Sequence, residues 1–124
     1  MKFFVNRTTK EIIEVVLGND TTFTSEGSEM VELKANSTDA AGEKHVPVMT
    51  VEGNKVHVVV GSVLHPMTEE HSIQFIALET KQGVQRKALI PTDQPVADFV
   101  LAEGDEVVAA YEYCNLHGLW KVEA

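Results

Sequence analysis

Five side chains that can bind a transition metal are spread along most of this chain, and four of them lie in turn-like contexts. They are His45, His65, His71, Cys114 and His117. Four imidazoles with one thiolate form an uncommon donor set, because structural zinc closes at four ligands and typically uses more cysteine. Nitrogen donors with a single sulfur suit iron or copper. The pattern therefore predicts one redox metal site, and a fold that gathers residues from distant parts of the chain.

The size and charge of the chain limit the remaining possibilities. With 124 residues and 44% hydrophobic content, the chain can bury one main core with a small appendage, but not two full domains. Its net charge is −9, and it has only 10 lysines and arginines, which are scattered. Phosphate binding needs clustered basic residues, so the composition argues against a nucleic-acid partner.

The single cysteine rules out an internal disulfide framework and fits a reducing compartment, so we expect a cytoplasmic protein. The first residues, MKFFVNR, become polar too soon for the apolar core of a signal peptide. No stretch approaches the roughly 18 apolar residues of a membrane span. We therefore expect no membrane partner.

The first part of the chain, residues 1–34, alternates short apolar runs with turn signals. The run IIEVVL at residues 12–17 is followed by GND at 18–20, and EGS at 26–28 marks a second turn. This predicts a small β unit with too little apolar content to be stable alone, so we expect it to dock on the main domain or on a second subunit. Residues 35–42 are small and polar, which predicts a linker, with one helical turn capped by Ser37 or Thr38.

The rest of the chain has the pattern of an antiparallel β-sandwich of the immunoglobulin-like type. Strands are predicted at residues 46–51, 56–60, 72–80, 97–102 and 107–113. The first two runs are β-branched and are separated by EGNK at 52–55, a hairpin signal in which Gly53 and Asn54 can take positive φ. Gln82 and Gly83 turn the chain after the third strand. We expect six or seven short strands and almost no helix.

On this framework the metal-binding residues lie at the ends of elements. His45 precedes a strand, His65 lies in a loop, and Cys114 ends the last long strand, with His117 only three residues further along. Strand ends on a rigid sheet commonly carry such sites, because the strands fix the position and the loops converge. His57 differs, because it alternates with valines inside a strand, and we interpret it as an ordinary strand histidine.

Three segments together resemble the superoxide reductase family, which includes neelaredoxin and the centre-II domain of desulfoferrodoxin. They are EKHVP at 43–47, GSVLHPM at 61–67 with His71 six residues after His65, and EYCNLHGLWK at 112–121. The resemblance covers residues 38–121. It implies one mononuclear iron ion per chain, cycling between Fe²⁺ and Fe³⁺, with His45, His65, His71 and His117 in the equatorial plane and Cys114 as the axial thiolate.

The same resemblance implies roles for Glu43 and Lys44, and it implies a substrate and an electron donor. The sixth coordination position stays open in the ferrous form, Glu43 coordinates the iron after oxidation, and Lys44 lies over the open face and attracts the anionic substrate. Superoxide is reduced by one electron to hydrogen peroxide, and the electron donor is expected to be rubredoxin or a similar redox protein. Residues 38–124 would form the iron domain.

Residues 1–37 resemble the small desulforedoxin-like domain of longer family members, without its metal centre. The alignment places Asn6, Thr9, Ser25 and Glu26 at the positions of the four cysteine ligands. The resemblance implies a vestigial domain that binds no metal, and formation of a homodimer is the expected reason for keeping it.

Three other interpretations fit the residues taken one at a time. The chain could be an iron electron carrier with a closed coordination shell, a zinc-stabilised β-sandwich without catalysis, or an interaction module without metal. The lone cysteine could also be an ordinary buried thiol or a nucleophile. Thiolate-bound oxidised iron would colour the protein, whereas zinc would leave it colourless.

Overall fold

The computed structural model describes residues 1–124, which divide into two compact units, 1–34 and 35–124. The first unit contains short strands only. They are β1 Phe3–Val5, β2 Ile12–Glu14, β3 Thr24–Ser25, β4 Ser28–Glu29 and β5 Val31–Leu33. Strands β2, β1 and β5 form a sheet in that order, and β3 pairs with β4 as a hairpin. All pairings in this unit are antiparallel.

The small unit has a core of its own around β1, whose three residues are all buried. Phe4 packs edge-on against Phe23, with ring centroids 4.9 Å apart. A second contact network centres on Asn6, which is 1% exposed. Its Oδ1 accepts from the backbone N–H groups of Thr8 and Thr9 at 2.9 and 3.1 Å, and its Nδ2 donates to the Ser25 carbonyl at 3.0 Å. One amide side chain thus joins two turns 19 residues apart.

The second unit contains seven strands and one short helix. They are α1 Gly42–His45, β6 Pro47–Glu52, β7 Lys55–Val60, β8 Ile73–Thr80, β9 Val84–Ala88, β10 Val96–Val100, β11 Val107–Cys114 and β12 Gly118–Glu123. One sheet has the order β10-β7-β6 and the other the order β12-β11-β8-β9. Every pairing is antiparallel. The predicted all-β, immunoglobulin-like sandwich is confirmed.

Alternation along the strands explains why the two sheets stack. In β7 the valines at 56, 58 and 60 are buried, while Lys55 and His57 are exposed. The opposite sheet contributes Ile73, Ile76 and Leu78 from β8 to the same core. Burial of these side chains supplies the main stabilising free energy of the unit, at roughly 1.5–3 kcal/mol for each large aliphatic side chain. The β6–β7 turn follows the prediction, with Gly53 at φ 61°.

The predicted helical turn is wrong in position and in capping. It was expected in the linker with Ser37 or Thr38 as cap, but α1 covers Gly42–His45, its N-cap residue is Ala41, and no side chain caps it. Small polar residues in the linker resembled a capping sequence, whereas tertiary contacts set the position of this single turn. The one helix, α1, has four residues, so the structure contains no helix that could span a membrane.

Candidate metal centre

The five predicted metal-binding residues come from four places in the second unit. His45 is the last residue of α1, His65 and His71 lie in the loop between β7 and β8, Cys114 ends β11, and His117 lies in the turn before β12. The sheets hold the ends of β7 and β11, and the loops converge there. Gly118 closes the last turn at φ 81°, a conformation that favours glycine.

These side chains meet at one point. Donor atoms of His45, His65, His71 and Cys114 all lie within 4.8 Å of one another. His117 joins them through its Nδ1, which is 3.1 Å from His45 Nε2 and 3.9 Å from Cys114 Sγ. Metal–ligand bonds of about 2.0–2.3 Å place neighbouring donors about 3 Å apart. The spacing therefore matches a shared metal ion, and His57 stays outside it, paired with Asp98 at 2.6 Å.

Two of the rings are oriented by backbone carbonyls on their far side. His45 Nδ1–H donates to the Ala41 carbonyl at 2.8 Å, and His65 Nδ1–H donates to the Pro66 carbonyl at 2.6 Å. A carbonyl can only accept, so in each ring the proton is on Nδ1 and the Nε2 lone pair faces the cluster. Histidines that bind metals are typically oriented in this way.

The interior of the cluster lacks a protein partner for one donor. His71 Nε2 is buried and makes no hydrogen bond. An unsatisfied buried nitrogen is costly in a folded protein, unless an ion or water fills the gap. The opposing Nε2 atoms of His45 and His65 offer lone pairs rather than protons, and imidazole with thiolate suits iron. The residues present therefore fit the iron ion that the family resemblance implies.

Burial sets the protonation states of the donors. Desolvation lowers the pKa of His65 to about 4, although its hydrogen bond to Pro66 opposes the shift. Desolvation also lowers the pKa of His45 and of His71, and the positive charge of Lys44 adds to both shifts. Burial raises the pKa of Cys114, against backbone N–H groups of Leu116 and His117 that favour the thiolate. The three imidazoles are neutral at neutral pH, while the sulfur keeps its proton until a metal displaces it.

Glu43 and Lys44 lie on the solvent side of the cluster. Both side chains are exposed, and the Glu43 carboxylate is not among the clustered donors. Their backbone is held firmly: the Glu43 carbonyl accepts from Val63 N–H at 2.9 Å and from Ser62 Oγ at 3.2 Å. Gly61 packs so closely here that an added Cβ would lie 2.6 Å from the same carbonyl oxygen.

Trp120 forms one wall of the cluster. Its ring stacks on His45 with centroids 5.0 Å apart and an interplanar angle of 28°, and its Nε1–H donates to the His117 carbonyl at 3.0 Å. It is 5% exposed, so it keeps solvent from this side of the rings. The structure therefore places the single tryptophan of the chain at the metal site.

Two further residues near the sulfur were not singled out from the sequence. Asn115 bonds to the loop that carries His71, and a lone asparagine after a strand ordinarily indicates only a turn. Glu112, two residues before Cys114, is fully buried and neither carboxyl oxygen has a partner. Desolvation raises the pKa of Glu112 well above its usual value, and the nearby Glu112 carboxyl in turn contributes to the raised pKa of Cys114.

Comparison with known proteins gives a consistent result. The family model described as Desulfoferrodoxin matches residues 37–123. A desulfoferrodoxin of Clostridium acetobutylicum is 40% identical over 123 residues, covering 99% of this chain and 96% of that protein. A superoxide reductase of Pyrococcus abyssi is 36% identical over 111 residues, covering 76% of this chain and 96% of that protein.

A solved structure also resembles the whole chain. The crystal structure of the superoxide reductase from Treponema pallidum superposes with a TM-score of 0.85 at 37% sequence identity, and the match covers 98% of both chains. A shorter relative, the one-iron superoxide reductase of Giardia intestinalis, is 36% identical and covers 66% of this chain and 99% of its own, with a TM-score of 0.56.

Proposed function

The chain belongs to the desulfoferrodoxin family, and from this we propose that it is a superoxide reductase, an enzyme that reduces superoxide to hydrogen peroxide at an iron centre. The observation that carries the proposal is the convergence of four imidazoles and one thiol at a single point. It occurs in a chain that matches a solved superoxide reductase over 98% of its length.

We propose that one iron ion per chain is held by the ring nitrogens of His45, His65, His71 and His117 and by the Cys114 thiolate. Iron bound there would supply the single electron, and the thiolate would make it electron-rich enough to give that electron. Support for a single ion comes from the lone cysteine and from the single cluster of metal-binding side chains. The fully buried sulfur is shielded from solvent, so the substrate must enter from another side.

Lys44 attracts the substrate and helps to deliver a proton. Superoxide is a small anion that takes up one electron and two protons to become hydrogen peroxide. The exposed ammonium group of Lys44 lies next in sequence to His45, and its charge is felt by the rings of His45 and His71. A positive charge at the entrance raises the local concentration of an anion.

We propose that Glu43 binds the iron only in its oxidised state. Its carboxylate is exposed and its backbone carbonyl is held by Val63 and Ser62, so the proposed binding requires the side chain to move toward the ion. Replacing Glu43 by alanine is expected to alter the absorption spectrum of the oxidised iron protein, while the first encounter with superoxide keeps nearly its original rate. An identical spectrum would remove Glu43 from the ligand set.

Partners and domain roles follow from the same family membership. Each turnover consumes one electron, so a redox donor must restore the enzyme, and we propose rubredoxin or a similar small redox protein. We also propose that residues 1–37 form a metal-free, desulforedoxin-like domain that supports a homodimer. The single cysteine supports a cytoplasmic location.

The decisive experiment measures products after a pulse of superoxide. The full chain is loaded with Fe²⁺, mixed with superoxide, and assayed for hydrogen peroxide and for oxygen. A reductase forms one peroxide per superoxide without matching oxygen, and Cys114→Ala should abolish the reaction. His57→Ala is the matched control, since that histidine lies outside the cluster. Oxygen release in proportion to peroxide would indicate dismutation, and a colourless zinc protein without turnover would contradict the proposal.

A further inference from the structure

The ring of His71 is held differently from the rings of His45 and His65. Backbone carbonyls bind the far nitrogens of His45 and His65. His71 has no such hydrogen bond to a backbone carbonyl, and its buried Nε2 has no partner. A metal-binding histidine normally donates its second N–H, which fixes the plane of the ring. The hydrogen bonds that hold His71 are instead those of its backbone and of its two neighbours in the chain.

The side chain of Asn115 bonds to both neighbours of His71. Its Nδ2 donates to the Glu70 carbonyl at 2.9 Å, and its Oδ1 accepts from the Ser72 N–H at 3.0 Å. The Asn115 backbone N–H also donates to the Ser72 carbonyl at 3.2 Å. The residue before His71 and the residue after it are thus tied to one amide side chain.

Thr68 closes the loop on the other side. Its Oγ1 accepts from the His71 N–H at 3.1 Å, and its own N–H donates to the His71 carbonyl at 2.9 Å. This contact shapes the loop locally, because the two residues are three apart. Asn115 provides a different kind of contact, since it lies 43 and 45 residues away from the positions that it binds.

We propose that Asn115 is a positioning residue that sets His71 at the correct distance from Cys114. Asn115 directly follows Cys114 in the chain, so its two side-chain hydrogen bonds connect the loop of one donor to the turn of another. A side-chain amide offers a donor and an acceptor side by side, which these two contacts require. This inference rests on the proposed function, because it takes His71 and Cys114 to be ligands of the same ion.

The expected effect concerns metal affinity. Removing a group that orients a metal ligand typically weakens binding by about 10–100-fold. Asn115→Ala should therefore lower the affinity of the full chain for Co²⁺, a probe whose thiolate absorption reports binding directly. If Asn115 acts through His71, the loss should vanish when His71 is already alanine. A double-mutant cycle with Asn115→Ala, His71→Ala and the double variant tests this coupling.

A matched control separates positioning from general stability. Asn36 makes the same kind of paired contact, with its Nδ2 donating to the Lys121 carbonyl at 3.2 Å and its Oδ1 accepting from the Lys121 N–H at 2.8 Å. It touches none of the five donors. Asn36→Ala should lower the free energy of unfolding while leaving Co²⁺ affinity unchanged.

A conservative variant covers the case in which Asn115→Ala does not fold. Asn115→Asp keeps the volume and the acceptor for Ser72 N–H but loses the donor to Glu70. It should also weaken Co²⁺ binding, and the loss attributable to His71 again disappears in the His71→Ala background. The effect of the added charge on the ion is present in both backgrounds, so the cycle removes it.

The possible results are distinct. The proposal is supported if Asn115→Ala lowers the affinity for Co²⁺ in the wild-type background but not in the His71→Ala background. Equal loss in both backgrounds, no loss at all, or an equal loss in Asn36→Ala overturns it and leaves the proposed function intact. If His71→Ala itself binds Co²⁺ as tightly as the wild type, the ligand assignment fails, and the inference fails with it.

Discussion

The rings of His45 and His65 are prepared for a metal by the carbonyls of Ala41 and Pro66, which keep each proton on Nδ1. Burial adds to this preparation because it disfavours the charged imidazolium, most strongly in His65, whose pKa falls to about 4. The thiol of Cys114 is affected in the opposite direction, since burial raises its pKa. Among His45, His65, His71 and Cys114, only the sulfur must lose a proton to bind at neutral pH.

This difference predicts the pH dependence of metal binding. Between pH 7 and 8.5 the affinity for Co²⁺ should rise about tenfold per pH unit, because one proton leaves Cys114 for each ion bound. The lowered pKa values of His45, His65 and His71 mean that these rings add no protons in this range. Titrations at several pH values, with released protons counted in weak buffer, provide the measurement. A slope near two or near zero, in a plot of the logarithm of Co²⁺ affinity against pH, would contradict this prediction.

The charge of Lys44 should attract the superoxide anion. The chain carries a net charge of −9, which repels superoxide at long range. At cellular ionic strength the screening length is about 8 Å, so a charge at the entrance outweighs distant carboxylates. Lys44→Ala should slow the bimolecular reaction with superoxide by about threefold to tenfold at low salt, and should weaken its decline with added salt.

Stopped-flow measurements over a range of salt concentrations test this prediction. Lys81→Ala is the matched control, because Lys81 pairs with Glu106 at 2.5 Å and lies outside the cluster. An unchanged rate constant for Lys44→Ala at low salt would remove Lys44 from the attraction of substrate.

The loop after β7 holds the backbone of helix α1 in place. The Glu43 carbonyl is held by Val63 and Ser62, and Gly61 leaves no room for a side chain beside it. A Cβ at position 61 would also lie 2.9 Å from the Lys44 carbonyl carbon and 3.1 Å from the Val46 carbonyl oxygen. These neighbours are backbone atoms, which move only if the whole turn moves.

Gly61→Ala should therefore displace the turn that carries Glu43 and Lys44. We expect the free energy of unfolding to fall by about 1–3 kcal/mol, the usual cost of overpacking, and the reaction with superoxide to slow. Chemical denaturation and stopped-flow kinetics measure the two effects. Gly83→Ala is the control, since nothing lies within 4 Å of a Cβ there and its φ is not in the left-handed region. If Gly61→Ala is as stable as the wild type, the close packing of position 61 against the Glu43 carbonyl does not fix the turn.

The strands could largely be predicted from sequence, because the alternation of buried valines in β7 and the turn at Gly53 are local signals. The position of α1 could not, since its four residues have no side-chain cap and depend on partners such as Val63, which lies 20 residues later. The same holds for Asn115. Its role arises from residues 43 and 45 positions away, and nothing local distinguishes it from a turn asparagine.

The two units of the molecule differ in the groups that bring their loops together. Every clustered donor belongs to residues 35–124, whereas in residues 1–34 the side chain of Asn6 joins two turns through hydrogen bonds alone. The family resemblance predicts that Asn6 stands at the position of a cysteine ligand. It could not indicate that the amide also bonds to both turns, because that depends on the fold around it.

Removal of the metal should therefore affect the units unequally. A ligand present at a thousand times its dissociation constant stabilises the folded state by about 4 kcal/mol. Amide hydrogen exchange should accelerate on chelation in β7, β8 and β11, whose ends carry the donors, and stay unchanged in β1. Exchange measured with and without metal on the full chain checks this. Equal acceleration at Phe3–Val5 would show that the small unit depends on the ion.

The stacking of Trp120 on His45 gives the molecule an optical signal of its own. Trp120 is the only tryptophan in the chain, and its ring centroid is 5.0 Å from that of His45. An ion bound by His45 would lie close to this indole, where a paramagnetic metal quenches its emission and zinc does not. Indole fluorescence, excited at wavelengths that tyrosine does not absorb, thus comes from a single known place, and its intensity reports continuously, without any added dye, which kind of ion the protein has taken up.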